Sequence, residues 1–166
     1  LVYLSILATG VFLLAREYGA TQWPAAVGGV VMATGGWTLW MDAAWWTPHL
    51  ASLAFTPFVW LAARRVARGG SSPIWFVVAA ALCVTVGNPY SAVVVFVIVV
   101  AVVVEHADRR DLGNVLALGA SLVSVGLIAF FVYIPFRQTS GVGFRETGIF
   151  NDESWSPGLG DLLGMS

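Results

Sequence analysis

The pattern of hydrophobic and polar positions divides this chain into long apolar runs separated by short polar segments. The longest run, Ile74–Val104, has no charged residue over 31 positions. One unbroken helix of that length would be about 46 Å long, whereas the hydrocarbon core of a bilayer is about 30 Å thick. Gly87-Asn88-Pro89 interrupts the run, because glycine and proline both end helices. The pattern therefore predicts two helices folded back on each other, with a polar tip at Asn88.

The other apolar runs predict four more helices. Pro24 lies in the first turn of the second, where its missing N–H costs nothing. Pro57 predicts a kink in the third. The glycine pairs Gly28–Gly29 and Gly35–Gly36 indicate close approach of a neighbouring helix. The six predicted helices are approximately residues 1–15, 22–41, 48–65, 73–87, 90–105 and 112–135.

Composition changes the picture from a set of helices to a membrane protein. Hydrophobic residues make up 58% of the chain and charged residues 10%, with a mean hydropathy of +0.84. A soluble domain has about 25% charged residues. We therefore predict an all-α, polytopic transmembrane helix bundle of about six membrane helices. The basic residues are all arginines without an aromatic-interleaved cluster, so no nucleic-acid partner is predicted. The single cysteine, Cys83, is predicted to be a buried, inert thiol.

The arginines orient the predicted bundle. With successive helices alternating in direction, most arginines fall on one side, which the positive-inside rule assigns to the cytoplasm of a plasma-membrane protein. Residues 42–48, 88–89 and 137–166 are then extracytoplasmic. We predict a bundle over 1–136 and a truncated extracytoplasmic loop over 137–166, and we expect both to belong to a longer polypeptide. The cytoplasmic arginines are Arg16, Arg64, Arg65, Arg68, Arg109 and Arg110.

Four polar residues on the outer side are candidates for substrate binding. Asp42 is either a solvated interfacial carboxylate or a contact to a substrate hydroxyl. His49 is either a helix-end residue or one that binds a lipid phosphate or moves a proton. Asn88 and Tyr90 flank a proline, where turn chemistry explains the same residues. One aspartate and one histidine do not make a metal site, so no metal ligands are predicted.

Two arginines near the end of the chain suggest phosphate binding. Arg137 and Arg145 lie on the side that the charge rule expects to be poor in basic residues. The planar fork of arginine binds phosphate well, and a lipid-linked sugar would present a phosphate on that side. The alternative is that both are loop arginines paired with nearby acidic residues.

Short motifs recur along the chain in a particular order. They are a helix ending in LLAREYG, Gly87-Asn88-Pro89 within VTVGNPYSA, Pro135 with Ser140 and Arg145 within YIPFRQTSGVGFRE, and a tail containing SWSPGLGDLLG. In this order they resemble the YfhO-like membrane proteins and, more loosely, the mycobacterial-type arabinofuranosyltransferases, both in the GT-C class of multi-pass glycosyltransferases. The resemblance covers nearly the whole chain.

The resemblance implies transfer of a sugar from a polyprenyl-phosphate-linked donor to a cell-envelope acceptor on the outer face. It also implies a catalytic carboxylate in an outer loop upstream of Leu1, so no residue here inherits that role. The cofactor stays open, with a divalent metal as one option for the full-length protein. Predicted partners are membrane lipids and the lipid-linked donor. A transporter or lipid flippase, and a non-catalytic membrane subunit, remain alternative functions.

Overall fold

The fold is described by a computed structural model over residues 1–36, 38–39, 47–86, 91–106 and 112–143. Within these ranges the chain forms six helices and no strand, which confirms the all-α class. It divides into two compact units, Leu1–Phe130 and Phe131–Ser166, the second of which includes the end of the last helix. The helices are α1 Val2–Glu17, α2 Gln22–Thr34, α3 Thr47–Ala67, α4 Pro73–Val86, α5 Ser91–Glu105 and α6 Leu112–Gly143.

Two helix ends differ from the sequence prediction. The helix predicted to continue to about residue 41 ends at Thr34, because Gly35 leaves the helical conformation with φ −56° and ψ 141°. Glycine loses more conformational freedom in a helix than any other residue, so a glycine pair is a natural stop. The last helix continues past Pro135 to Gly143. A proline removes one main-chain N–H, and an apolar helix can absorb that loss by local adjustment.

The long central run folds as two helices, in agreement with the predicted break. Helix α4 ends at Val86 and α5 begins at Ser91, and the two are in contact. The four residues between them, which include Asn88 and Tyr90, lie outside the described ranges.

Helix α3 is the centre of the first unit, since it contacts α1, α4 and α5, while α2 packs against α1. Its small residues let the neighbouring helices approach closely. The core contains fully buried side chains from α3, α4 and α5, joined by Leu118 and Val125 of α6. The largest of these core residues are Phe76, Leu118, Val59, Val66, Val95 and Val102.

Buried hydroxyls link the central helices. The Ser91 hydroxyl donates to the Ser52 hydroxyl at 2.6 Å, and Ser52 donates to the main-chain carbonyl of Cys83 at 3.2 Å. Cys83 is fully buried with a free thiol, as predicted, and its Sγ donates to the Ser52 carbonyl at 3.5 Å. Polar groups in an apolar interior must find partners, so these bonds fix α3, α4 and α5 relative to one another.

One member of the first glycine pair is a packing residue and the other is not. A Cβ atom added to Gly29 would lie 2.5 Å from the main-chain oxygen of Ala8 on α1, whereas one added to Gly28 would meet open space. The close approach of α1 and α2 therefore depends on Gly29.

One helix of the described part, over Leu112–Ile134, is long and apolar enough to cross a membrane. It has 23 residues and a mean hydropathy of 2.5. Helices α4 and α5 are apolar but have only 14 and 15 residues, or about 21 to 23 Å of helix. A bundle in which all six helices span a membrane therefore stays a prediction.

Candidate functional site

The C-terminal ends of α1, α3 and α5 meet and form a cluster of charged side chains, here called the charged end. The sequence pattern predicted that the arginines of this cluster lie together, and in the structure they form salt bridges with glutamates. Its members are Glu17, Tyr18, Arg64, Arg65, Arg68, Glu105 and His106.

Arg64 is the buried centre of the charged end, with 6% of its surface exposed. Its Nε and Nη2 atoms both lie 2.9 Å from Glu105 Oε1, and its Nη1 donates to the Glu17 carbonyl at 2.9 Å. The guanidinium also lies 3.6 Å from the centroid of the Tyr18 ring, a cation–π contact. Arg64 thus ties the ends of three helices together.

Tyr18 and Glu105 share a hydrogen bond that shifts the pKa of each. The Tyr18 hydroxyl donates to Glu105 Oε2 at 2.8 Å and accepts from Trp60 Nε1 at 3.1 Å. Burial, then the bond to Glu105, raises the pKa of Tyr18. Burial alone would raise the pKa of Glu105, but the hydrogen bonds from Tyr18 and Arg64 outweigh it and lower that pKa. Both groups are therefore held in the neutral-phenol, ionised-carboxylate state.

Arg65 and Arg68 differ from Arg64 in their exposure. The Arg65 side chain is 49% exposed and binds Glu17 Oε2 through Nε at 3.1 Å. Arg68 is 31% exposed and bridges Glu17 Oε1 at 3.3 Å and His106 Nε2 at 3.3 Å. Exposed pairs of this kind contribute little to stability, so these two arginines are available for other contacts.

A long apolar groove, here called the lateral groove, runs along the surface between α1, α3 and α4. Its volume is about 490 Å³. Apolar side chains such as Ile6, Phe58 and Leu82 line most of its length, and Arg65 and Ser71 are its polar residues. The groove therefore joins an apolar surface to the charged end.

His49 is the one predicted site residue whose side chain the structure describes. It lines an open pocket of about 550 Å³ between α1, α2 and α3, together with Thr38 and the glycines Gly28, Gly35 and Gly36. This His49 pocket lies at the end of α3 opposite the charged end. Its size matches that of small-molecule sites, and the ring nitrogens of a histidine can donate or accept a hydrogen bond there.

The side chains of the other predicted site residues lie outside the part of the chain that the structure describes. Asp42, Asn88, Tyr90 and Arg145 lie outside the described ranges. Arg137 lies within α6, but its side chain lies outside the described part. Among the residues that the structure describes, no three His, Cys, Asp or Glu side chains are grouped to hold a metal ion.

Three polar residues at the charged end that are linked by hydrogen bonds were not among the predicted site residues, namely Tyr18, Trp60 and Glu105. A signal was present, because each lies at or near the end of a helix that the arginine pattern had placed on one side. What the sequence alone did not supply was the register that sets Glu105 of α5 against Arg64 of α3, separated by 41 positions.

Comparisons with known proteins give no family for the chain. A scan against models of protein families, a search of curated proteins and a search of solved structures each found no match. The described residues define an all-α protein in which one helix is long and apolar enough to cross a membrane.

Proposed function

We propose that this chain is a membrane-embedded helix bundle in the plasma membrane, with the charged end facing the cytoplasm. The observation that carries this proposal is the exposure of α6. Only 17% of its most apolar window is buried, although a core helix of a soluble protein with that composition would be mostly buried. Contiguous apolar surface of this kind needs lipid or a partner.

The surfaces of other helices support the same placement. Trp23, Val30 and Val31 of α2 are 81%, 57% and 61% exposed, and Phe96 and Val97 of α5 are 55% and 57% exposed. These side chains face away from the core, α2 has no charged residue, and the one charged residue of α5, Glu105, is its last. The short α4 and α5, of 14 and 15 residues, fit as two arms that each cross part of the hydrocarbon core.

Topology can be tested with cysteine reporters, because Cys83 is the single cysteine. In a Cys83→Ser background, Ser71→Cys reports the charged end and Thr34→Cys reports the end of α2 near the His49 pocket. An impermeant thiol reagent is expected to label Thr34→Cys in intact cells and Ser71→Cys only after permeabilisation. Labelling of both in intact cells, or extraction of the protein by alkaline carbonate, would contradict the membrane bundle.

We further propose that the full-length protein is a glycosyltransferase of the GT-C type that uses a polyprenyl-phosphate-linked sugar on the outer side. The residue resemblance supports this proposal, and the His49 pocket supplies a described cavity at the proposed outer end. His49, Asp42, Asn88 and Tyr90 would contact the donor or acceptor, while Arg137 and Arg145 would bind the leaving phosphate, because arginine stabilises developing phosphate charge.

The test is transfer of radiolabelled sugar from polyprenyl-phosphate donors by membranes that contain the full-length protein. Arg137→Ala and Arg145→Ala are expected to weaken donor use without loss of membrane insertion. Unchanged donor affinity in both variants would remove the phosphate role. Absence of transfer from every donor, with insertion intact, would favour the flippase or the non-catalytic subunit.

A further inference from the structure

The lateral groove has the shape and charge of a lipid site at the charged end. From Phe55 to Arg65 it follows eleven residues of α3, a rise of about 15 Å. That length is half of a hydrocarbon core of about 30 Å. The groove therefore matches the depth of one leaflet, with its polar residues at the end where a headgroup would lie.

The headgroup end of the groove is cationic. Arg64, Arg65 and Arg68 pair with only Glu17 and Glu105 among the described residues at this end, a surplus of one positive charge. Anionic headgroups are attracted to such clusters next to the cytoplasmic leaflet. Trp75, which is 64% exposed and lines the groove, adds an aromatic ring of the kind found at membrane interfaces.

Arg65 is the arginine placed to meet a phosphate. Among the described residues its hydrogen bonds use Nε alone, to Glu17, so both terminal amino groups are available to a second anion. Arg64, one position earlier, uses Nε and both amino groups within the cluster. Two neighbouring arginines on one helix therefore have different roles, one in packing and one in binding.

We propose that the lateral groove binds one anionic phospholipid of the cytoplasmic leaflet, with its phosphate on Arg65 and Ser71 and one acyl chain along α1, α3 and α4. This proposal rests on the membrane placement of the bundle and not on the transferase activity. It assigns to the charged end a lipid ligand that holds α1 and α4 against α3.

The experiment is a thermal-unfolding titration of the purified full-length protein in neutral detergent with phosphatidylglycerol or phosphatidylcholine. Native mass spectrometry of the same samples counts the bound lipids. Wild type is expected to gain melting temperature and one tightly bound lipid with phosphatidylglycerol only. Arg65→Gln is expected to weaken that apparent affinity roughly fivefold to tenfold, less so at high salt. Arg16→Gln, the same charge change at the same end but outside the groove, is the matched control.

A second pair of variants tests the acyl-chain part. Ala79→Phe fills the groove, and Val97→Phe enlarges an exposed side chain of α5 outside it. Loss of the bound lipid in Ala79→Phe, with Val97→Phe unchanged, is the expected result. Full retention in Ala79→Phe would overturn the proposal, as would equal losses in Arg65→Gln and Arg16→Gln.

Three further outcomes also decide the matter. Equal binding of phosphatidylcholine would overturn the headgroup assignment, and displacement of the phospholipid by low concentrations of polyprenyl phosphate would assign the groove to another lipid. If wild type binds no lipid while Ala79→Phe destabilises it, a helix of the full-length protein occupies the groove instead. Alkaline carbonate extraction, performed beside the titration, separates failure of this proposal from failure of the membrane placement.

Discussion

The two ends of α3 are built on opposite principles. At the charged end, Arg64 is buried and all three of its nitrogen atoms bind neighbouring helices. At the other end, His49 lines an open pocket whose walls include three glycines. At the first end the guanidinium of Arg64 is packed and fully hydrogen-bonded, and the second end leaves space. A charged residue in an apolar chain, such as Arg64, can therefore serve packing. An open, weakly polar cavity such as the His49 pocket is a better candidate for substrate binding.

The largest expected effect comes from removing the centre of the charged end. Arg64→Gln leaves Glu105 without its main partner, and breaking a buried ion pair costs about 3 to 5 kcal/mol. Because the Glu105 side chain is 32% exposed, we expect a loss of about 2 to 4 kcal/mol in the free energy of unfolding. Unfolding in mixed micelles with increasing dodecyl sulfate, followed by tryptophan fluorescence, measures it.

Arg65→Gln is the matched control for this substitution, since it removes the same charge one residue later. In lipid-free detergent its cost is expected to stay below about 1 kcal/mol, as for other exposed pairs. Equal losses in the free energy of unfolding for the two variants would mean that Arg64, like Arg65, belongs to a surface charge cluster and has no special role in packing.

The next largest effect concerns the helix pair that forms one wall of the His49 pocket. Gly29→Ala would force a Cβ against the Ala8 carbonyl oxygen at 2.5 Å, and overpacking of this kind costs about 1 to 3 kcal/mol. Gly28→Ala, one residue earlier in open space, is expected to be neutral or stabilising because alanine favours helix. The same unfolding assay compares them, and a Gly29→Ala variant as stable as Gly28→Ala would refute the close α1–α2 contact.

The sequence was sufficient to predict which segments form helices, but not which faces of those helices contact one another. Apolar run length and the Gly-Pro break predicted α4 and α5, because both signals are local. The glycine pairs were predicted to pack, yet only Gly29 of the first pair does so, since which face of α2 meets α1 depends on the whole bundle. Likewise, the alternating direction of successive helices predicted that most arginines lie at one side of the bundle. The burial of Arg64, however, depends on its pairing with Glu105, which lies 41 positions away.

The site was predicted less completely than the fold. His49 was named from its residue type and helix position, and the structure adds the pocket around it. The pocket itself was outside the reach of sequence reasoning, because it is made by α1, α2 and α3 together and by the early end of α2 at Thr34. The roles proposed for Asp42, Asn88, Tyr90, Arg137 and Arg145 remain sequence predictions.

A smaller effect should appear when the charged end is titrated with acid. The pKa of Glu105 is lowered from its ordinary value of 4.5, so below that value the unfolded chain binds more protons than the folded protein does. Stability contributed by this carboxylate is therefore present above pH 4.5 and is lost as the pH falls through the lowered pKa. Unfolding at stepwise lower pH measures the slope, and Glu105→Gln should flatten it. An unchanged slope in that variant would assign the acid sensitivity to other groups.

The last test of the comparison between the two ends of α3 uses the two histidines of the sequence, His49 and His106. His106 is 5% exposed, accepts a bond from Arg68 Nε at 3.3 Å and, through Nδ1, contacts the Val102 carbonyl at 2.9 Å. His106→Gln is therefore expected to cost about 1 to 2 kcal/mol of stability and to leave donor affinity in the transfer assay unchanged. His49→Gln should lower sugar transfer by the full-length protein about tenfold, roughly the value of one hydrogen bond to a charged group. If His49→Gln instead unfolds the protein and His106→Gln abolishes transfer, the assignment of structure to one end of α3 and function to the other is reversed.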